Sequence, residues 1–518
     1  MINKYCRHKS ILYVMIAIIG LISFWIFSRY TVDDAFITWR YGFNLIKFGH
    51  WNYNPSGFDE TQSYTNPIFA ALSIIPAVLG FNVVFFFKII SLLITVIAVL
   101  SFSKKQNFSG VVVAVLILVN PFSIIHSFAG LETFLFASLL AGSLISAYNN
   151  NKNWSYAFAL VLFFTRPESW LLALLLPLYF NHGKWMKSVK EDPAKARSYF
   201  SSSLFVEFFA LSSVIAAFLL FNFTYFGLAL PNSFYIKVGK NISLLSLSLF
   251  TVCLLPVSIM PKNNKAFVVL CLALFGAMAV NYSKSDLMMD YAGRFAYHIV
   301  TPLALVLNSL INRKNNVYQC NNGTCTNALI SNDFILKTFP IIFFGIFSII
   351  NAKSVIGTIL YYPKLLNAHA ELGMALKNDL PHNAVISIAD AGIVPYNSEL
   401  NNLDYIGLGS KLVAKYGLTT AILEKYNPSV IMLYRDKSGS LVEGHNQRFM
   451  AKWLINRHIL YLCTVQWSKR SSLAVYSNMA MPSVEKICAS SRVENAAIDS
   501  KGLLESLLTP PWYYWRTH

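Results

Sequence analysis

Long apolar runs alternate with short polar breaks over the first 360 or so residues, and the pattern then changes character. Apolar runs occupy 11–27, 82–103, 111–125, 132–148, 203–226, 242–260, 265–281, 295–312 and 337–355. Each approaches or reaches the roughly 20 residues that a helix needs to cross a bilayer. "PIFAALSIIPAVLG" (67–80) is shorter and interrupted by Pro, as an interfacial helix would be. A further run, 154–180, carries "TRPE" (165–168) at its centre. Charge is costly there and Pro breaks the helical ladder, so two short helices meeting at that tetrapeptide are expected.

The breaks sort by charge. The leader with Lys4, Arg7 and Lys9, then "KKQ", "NNNKN", "NHGKWMKSVKEDPAKAR", "PKNNK" and "NRK", all fall on one face, which the positive-inside bias makes cytoplasmic. The count is eleven spans, N-terminus inside and C-terminus outside, with 29–66 as an outer loop. The first run lacks a small-residue cleavage site and reads as a retained anchor. From Tyr361 onward polarity is ordinary, and the strand-like runs "AVISIAD", "SVIMLY" and "SLAVYS" alternate with helical patterns such as "KLLNAHAELGMALKNDL". The expected fold is a polytopic α-helical membrane protein (residues 1–360) with a C-terminal α/β domain (361–518) on the outer face.

Composition sharpens this. The chain is 55% hydrophobic and 13% charged, with mean hydropathy +0.49, which excludes a soluble globular protein. The net charge of +18 sits mostly in the short loops, so it reports orientation and contact with anionic lipid, not a nucleic-acid partner. No G-x-G-x-x-G after a strand and no Walker sequence is present, so no nucleotide-binding domain is expected.

Six polar islands land on the outer face: Asp33/Asp34, "HWNYNPSGFDETQSYTNP", "AGLET" (129–133), "TRPE", "PNSFYIK" (231–237) and "DYAGR" (290–294). Each has a plain reading alone: a hydrated acidic loop, a helix N-terminus with Glu132 near the positive dipole end, a local Arg166–Glu168 pair, lysines touching headgroups, an aromatic belt. Their shared side implies an outward cavity. Glycosyl transfer from a lipid phosphate would use such a cavity. A carboxylate takes the proton of a sugar hydroxyl, anionic groups stabilise the oxocarbenium-like centre, and cations or a metal receive the departing phosphate. Asp33 and Asp34 are the candidate carboxylates, and Arg166, Lys237 and Arg294 the candidate phosphate ligands. The apolar body offers a path for a prenyl chain.

The ordered set "YTVDDAFITWRYGFNL…WNYNPSG…SYTNP", "GLETFLF", "LFFTRPESWLL", "PNSFYIK", "GRF" and "IADAGIVPYNS" resembles the C-type (GT-C) glycosyltransferases, in particular the AftB-like arabinofuranosyltransferase family. The resemblance spans most of 28–410. It implies a polyprenyl-monophosphate sugar donor, a pentofuranose such as arabinofuranose, and an inverting single displacement on the periplasmic side of a bacterial inner membrane. By the family pattern Asp33 is the general base. Asp34 supports it by orienting the acceptor or binding a cation, and Arg40, Tyr64, Asn66, Glu132, Glu168, Asn232 and Tyr235 line the pocket. Gln62 stands where relatives carry Glu, with Asp59 and Glu60 close enough to substitute. A divalent cation stays open, as does the acceptor: an envelope glycan, a lipopolysaccharide or a surface protein. The tail domain would position that acceptor.

Rival readings are a flippase for lipid-linked sugars, a polymerase or ligase using diphosphate-linked oligosaccharides, and a non-catalytic envelope assembly protein. The first calls for outlets on both faces, and the second for a large late outer loop; neither is visible. Among seven cysteines, Cys463 and Cys488 lie in the outer domain, where a bridge is permitted. Cys320 and Cys325 fall on the cytoplasmic side. Cys6, Cys253 and Cys271 read as free thiols.

Overall fold

The computed structural model describes residues 18, 20–22, 25–27 and 29–490, apart from 105, 107, 192, 238–240, 261–263, 288–289, 318–329, 436–440, 442–445 and 469–470. Most of the expected first span, the Cys320/Cys325 loop, Cys6 and the "PPWYYWRTH" ending lie outside the described residues.

Segment 29–66, expected as an outer loop, is not all loop. Helix α1 (Asp33–Phe48) opens with Val32 in extended conformation, has Asp33 and Asp34 in its first turn, and stops at Gly49 with φ 74°. The acids sit where the helix dipole is positive, and the left-handed cap suits glycine. Ten of its side chains, including Phe36, Trp39 and Arg40, are buried. Helices α2 (Val83–Ser103), α3 (Phe108–Leu118) and α4 (Pro121–Phe128) follow. The last two meet at a 53° bend where Pro121 begins the second.

Helix α5 (Thr133–Tyr148) leads to α6 (Lys152–Phe163). The expected break occurs at "TRPE": Arg166 is extended (φ −155°) and Pro167 opens a single 3-10 turn, from which α7 (Trp170–Glu191) departs. Helix α8 (Pro193–Phe226) turns Phe205, Phe209 and Leu220 outward, as a lipid-facing helix does. The short α9 (Asn232–Lys237), α10 (Lys265–Ser283) and α11 (Arg294–Val317) complete the bundle around the site. Five described helices are long and apolar enough to cross a membrane, or six if the bent pair is one span. Eleven were expected. Part of the difference lies in runs that fold as short or broken helices, such as α6 with 12 residues and 244–258, which splits at Cys253 and Leu254; the count covers the described residues, and most of the first expected span lies outside them.

Helix α12 (Ile330–Asp379) is continuous for 50 residues, so it passes through the 360/361 position and "KLLNAHAELGMALKNDL" is its end. The C-terminal region carries five strands: β1 (Val385–Ser387), β2 (Asn401–Asn402), β3 (Val430–Arg435), β4 (Tyr461–Ser468) and β5 (Ser471–Tyr476). Their order is β2-β1-β3-β5-β4, with β1 parallel to β2 and β3, and β5 antiparallel to β3 and β4. The three strand-like runs of the sequence became β1, β3 and β5. Strand β2 is two Asn residues with no alternation to find, whereas β4, "YLCTVQWS", alternates Cys463, Val465 and Trp467 with polar residues and was a missed signal. Asp379, ending α12, accepts the backbone N–H groups of Ser483 (2.9 Å) and Val484 (3.0 Å) at the start of α14. That helix (Pro482–Ser490) is joined to β4 by the Cys463–Cys488 disulfide; α13 (Ile393–Ser398) lies between β1 and β2.

Candidate active site

The six polar islands meet. A cavity of about 350 Å³ is lined by Asp34, by Ser63, Tyr64 and Thr65 of segment 29–66, and by Leu131 and Glu132. Arg166, Pro167 and Glu168, then Pro231, Ser233, Phe234 and Lys237, and finally Arg294 and Phe295 close the wall.

The adjacent acids diverge. Consecutive helical residues are rotated by about 100°, so two neighbours cannot face one point. Asp34 faces the cavity. Asp33 is buried and accepts the backbone N–H groups of Gly392 (3.0 Å) and Ile393 (2.8 Å). A Cβ on Gly392 would lie 2.2 Å from the Asp33 carbonyl oxygen, so only glycine permits this approach. Burial, and next the charge of Asp390, push the Asp33 carboxyl well above the usual carboxylate range. The expected base position is therefore the one that ties α1 to the C-terminal domain, and its neighbour is the one that faces the site.

Arg166 is held by two carboxylates, 2.8 Å from Glu132 Oε1 and 3.0 Å from Glu168 Oε1. Arg294 reaches the same Glu132 oxygen at 3.3 Å, and Asn66 donates to the other at 3.3 Å. Burial alone would raise the Glu132 carboxyl; the two guanidinium charges outweigh it and hold it below its ordinary value. Arg166 shows the converse, since burial would lower it but Glu168 and Glu132 carry it up. A buried ion cluster survives only with partners this close. Lys237 differs. Burial lowers its ammonium below the usual range, with Asp34 pulling it back, and no carboxylate stands within ion-pair distance of it among the described residues.

Several expected lining residues hold the scaffold instead. Arg40 donates to the Leu400 carbonyl and lies over the Tyr53 ring. Asn66 caps the helix Pro67–Leu72 through Phe69 N–H. Asn232 donates to the carbonyls of Gly407 (3.0 Å) and Leu408 (3.2 Å). Tyr235 is exposed and does not line the cavity, although Ser233 and Phe234 beside it do. Gln62 is buried outside the cavity wall. Asp59 turns to Lys425 (3.7 Å) and Tyr426 (3.3 Å), so it does not take the place of the missing Glu. The aromatic first segment is largely a docking surface: Tyr53 donates to the Ala391 carbonyl at 2.6 Å, and Asn54 exchanges two hydrogen bonds with the Asn402 backbone.

Residues 360–484 match a family described as a domain of unknown function, DUF8728. No curated protein sequence matches the chain. Among solved structures, the chain is similar to ArnT from Cupriavidus metallidurans in the apo state, with 12% identity, 93% of this chain and 99% of that one covered, and a TM-score of 0.49. It is likewise similar to the same protein bound to undecaprenyl phosphate, with 11% identity, 90% and 98% covered, and a TM-score of 0.46.

Some participants had no sequence signal. Asn281, Tyr282, Ser285 and Asp286, at and after the end of α10, also line the cavity; only their place in an outer loop hinted at this. Lys88, inside the apolar α2, is buried and donates to the carbonyls of Tyr30 and Phe128. Those carbonyls lie four residues before Asp34 and Glu132, and Val32 N–H donates to Ala129 O at 3.0 Å, so one ammonium joins the two segments that lead into the cavity-lining acids. Among the described residues no three His, Cys, Asp or Glu side chains converge on a metal position.

Proposed function

We propose that the protein is an inverting GT-C-type glycosyltransferase that moves a sugar from a polyprenyl-monophosphate donor to a cell-envelope acceptor. The observation that carries this is one cavity that brings the carboxylate of Asp34 together with the cations Lys237 and Arg294. Its volume lies at the lower end of the roughly 300–1,000 Å³ typical of small-ligand sites. Asp34 takes the proton as the acceptor oxygen bonds to the anomeric carbon. The carbon–oxygen bond to phosphate breaks on the far side, and the polyprenyl phosphate leaves with its charge held by Lys237 and Arg294. Arg166, already paired with Glu132 and Glu168, shapes the wall and keeps Arg294 in place through the shared Glu132.

The apolar rim of Leu171, Leu230 and Phe234 supports a prenyl chain entering from the lipid side. The disulfide of the C-terminal region supports a site opening toward the oxidising, periplasmic face of a bacterial inner membrane. The family resemblance points to a pentofuranose such as arabinofuranose as the sugar, and to an envelope glycan, lipid or surface protein as the acceptor.

The test is transfer from a purified polyprenyl-phosphate sugar by the full chain and by Asp34→Asn. Transfer lost in the variant, with undecaprenyl phosphate binding and thermal unfolding unchanged, supports the enzyme and its base. Transbilayer movement of the lipid-linked sugar with no new glycosidic bond would support a flippase instead.

A further inference from the structure

The C-terminal domain sends one carboxylate to the doublet. Asp390 follows β1, two residues before the Gly392 N–H that binds Asp33. The clamp on Asp33 thereby fixes Asp390 beside the first turn of α1. Tyr434 on β3 donates its hydroxyl to Asp390 Oδ2, while Oδ1 has no hydrogen bond among the described residues. The Asp390 side chain remains 29% exposed, although His369 beside it is fully buried.

That histidine is the second observation. Both of its ring nitrogens lack a hydrogen-bond partner, and Nδ1 stands 3.8 Å from Asp390 Oδ2. A buried polar group left open is costly and calls for a reason. The His369 ring meets the edge of Trp467 at 4.9 Å, and Trp467 meets Tyr434 at 5.9 Å. The open oxygen of the partly exposed Asp390, with the buried His369 and Trp467 packed behind it, is a position at which a sugar hydroxyl can bond.

Direction adds the rest. Lys237 and Arg294 line the cavity with Asp34; Asp390 does not, but its segment docks through Gly392 and Ile393 on Asp33, the residue before Asp34. Asp34 thus has the cationic wall in its own cavity, and its neighbour Asp33 holds the segment that carries the C-terminal carboxylate. A single displacement with inversion brings the acceptor in opposite the departing phosphate.

We propose that Asp390, braced by Tyr434 and next to His369, contacts the acceptor and holds one of its hydroxyls toward Asp34. This rests on the reading of the cavity as a donor-phosphate site. Asp390 supplies a hydrogen-bond acceptor oxygen and position; the proton still goes to Asp34, and no further reactant is involved.

The experiment uses the full chain as Asp390→Asn and Tyr434→Phe. Undecaprenyl phosphate binding is measured on purified protein, and each variant is returned to a deletion strain whose glycoconjugates are profiled by mass spectrometry. Expected are undecaprenyl phosphate binding within about twofold of wild type, a thermal midpoint no lower than that of wild type, and at least about a tenfold loss of the glycan product for Asp390→Asn. Tyr434→Phe, which frees but keeps the carboxylate, should lose less. A wild-type glycan level in Asp390→Asn overturns the proposal, and so does a parallel loss of undecaprenyl phosphate binding or of stability. Wild-type protein that neither binds undecaprenyl phosphate nor restores any glycan would overturn the cavity reading itself, a separate result.

Discussion

Ile393 donates its backbone N–H to Asp33 Oδ1 at 2.8 Å, joining the start of α13 to the first turn of α1. With Gly392 on the other oxygen, both lone-pair faces of Asp33 serve the fold. The two acids of one dipeptide therefore have separable roles.

Substitution should separate them. Asp34→Asn is expected to lower transfer by about 10²–10⁴-fold with the thermal midpoint unchanged. Asp33→Ala strands two buried N–H groups and should cost about 2–4 kcal/mol of stability. Denaturant unfolding beside a transfer assay reads both; an Asp33→Ala protein with full stability would contradict the clamp.

Glu132 answers two guanidinium groups at once. Glu132→Gln should destabilise the protein by about 3–5 kcal/mol, because it leaves buried cations uncompensated. Lys237→Ala, removing a cation with no such partner, should leave the midpoint in place and weaken undecaprenyl phosphate binding by about 10–100-fold. Unfolding curves and lipid titrations on the two variants decide between scaffold and ligand.

The pH response follows from Asp390. Burial foremost, with the Asp34 charge adding and the Tyr434 hydrogen bond opposing, raises its carboxyl to about 6. It ionises as pH rises through that value, so the KM for acceptor should fall across it, and Asp390→Asn should flatten the profile. Stability runs the other way. An acid raised in the folded state favours folding fully below its unfolded value near ~4, and that contribution is lost as pH climbs through about 6. Comparing unfolding free energies of wild type and Asp390→Asn between these limits checks the sign.

The Cys463–Cys488 bridge closes a loop with a sequence separation of 25. Replacing both cysteines by Ser should cost roughly 2–4 kcal/mol, seen as a lower midpoint for the C-terminal region. Thiol labelling of wild type before and after reduction verifies the bond.

Much of this was legible because charge in an apolar chain is rare. The loop charges placed all six islands on one face, and Pro167 announced the break between α6 and α7. What could not be read was helix phase. "VDDAF" does not say where α1 starts, and that start decides which acid faces the cavity. Arg40, Asn66 and Asn232 looked like ligands because polar side chains that hold a loop to a domain have the same composition as those that hold a substrate. Lys88 and His369 were invisible because their meaning lies in carbonyls and carboxylates distant in sequence, Asp390 among them. The two-residue β2 gave no periodicity, and the alternation of Cys463, Val465 and Trp467 in β4 was a strand signal that went unread.

Helix α12 has a mechanical consequence. Fifty residues give a helical path of about 75 Å, with Pro340 and Pro363 inside it, against a hydrocarbon layer of about 30 Å, and its far end carries Asp379 locked to α14. Such a spar turns a small tilt within the lipid into a displacement of several ångströms at its tip. The thickness of the surrounding bilayer then becomes a setting for how firmly the Gly392 segment seats on Asp33, and the same chain should work at different speeds in thin and thick membranes.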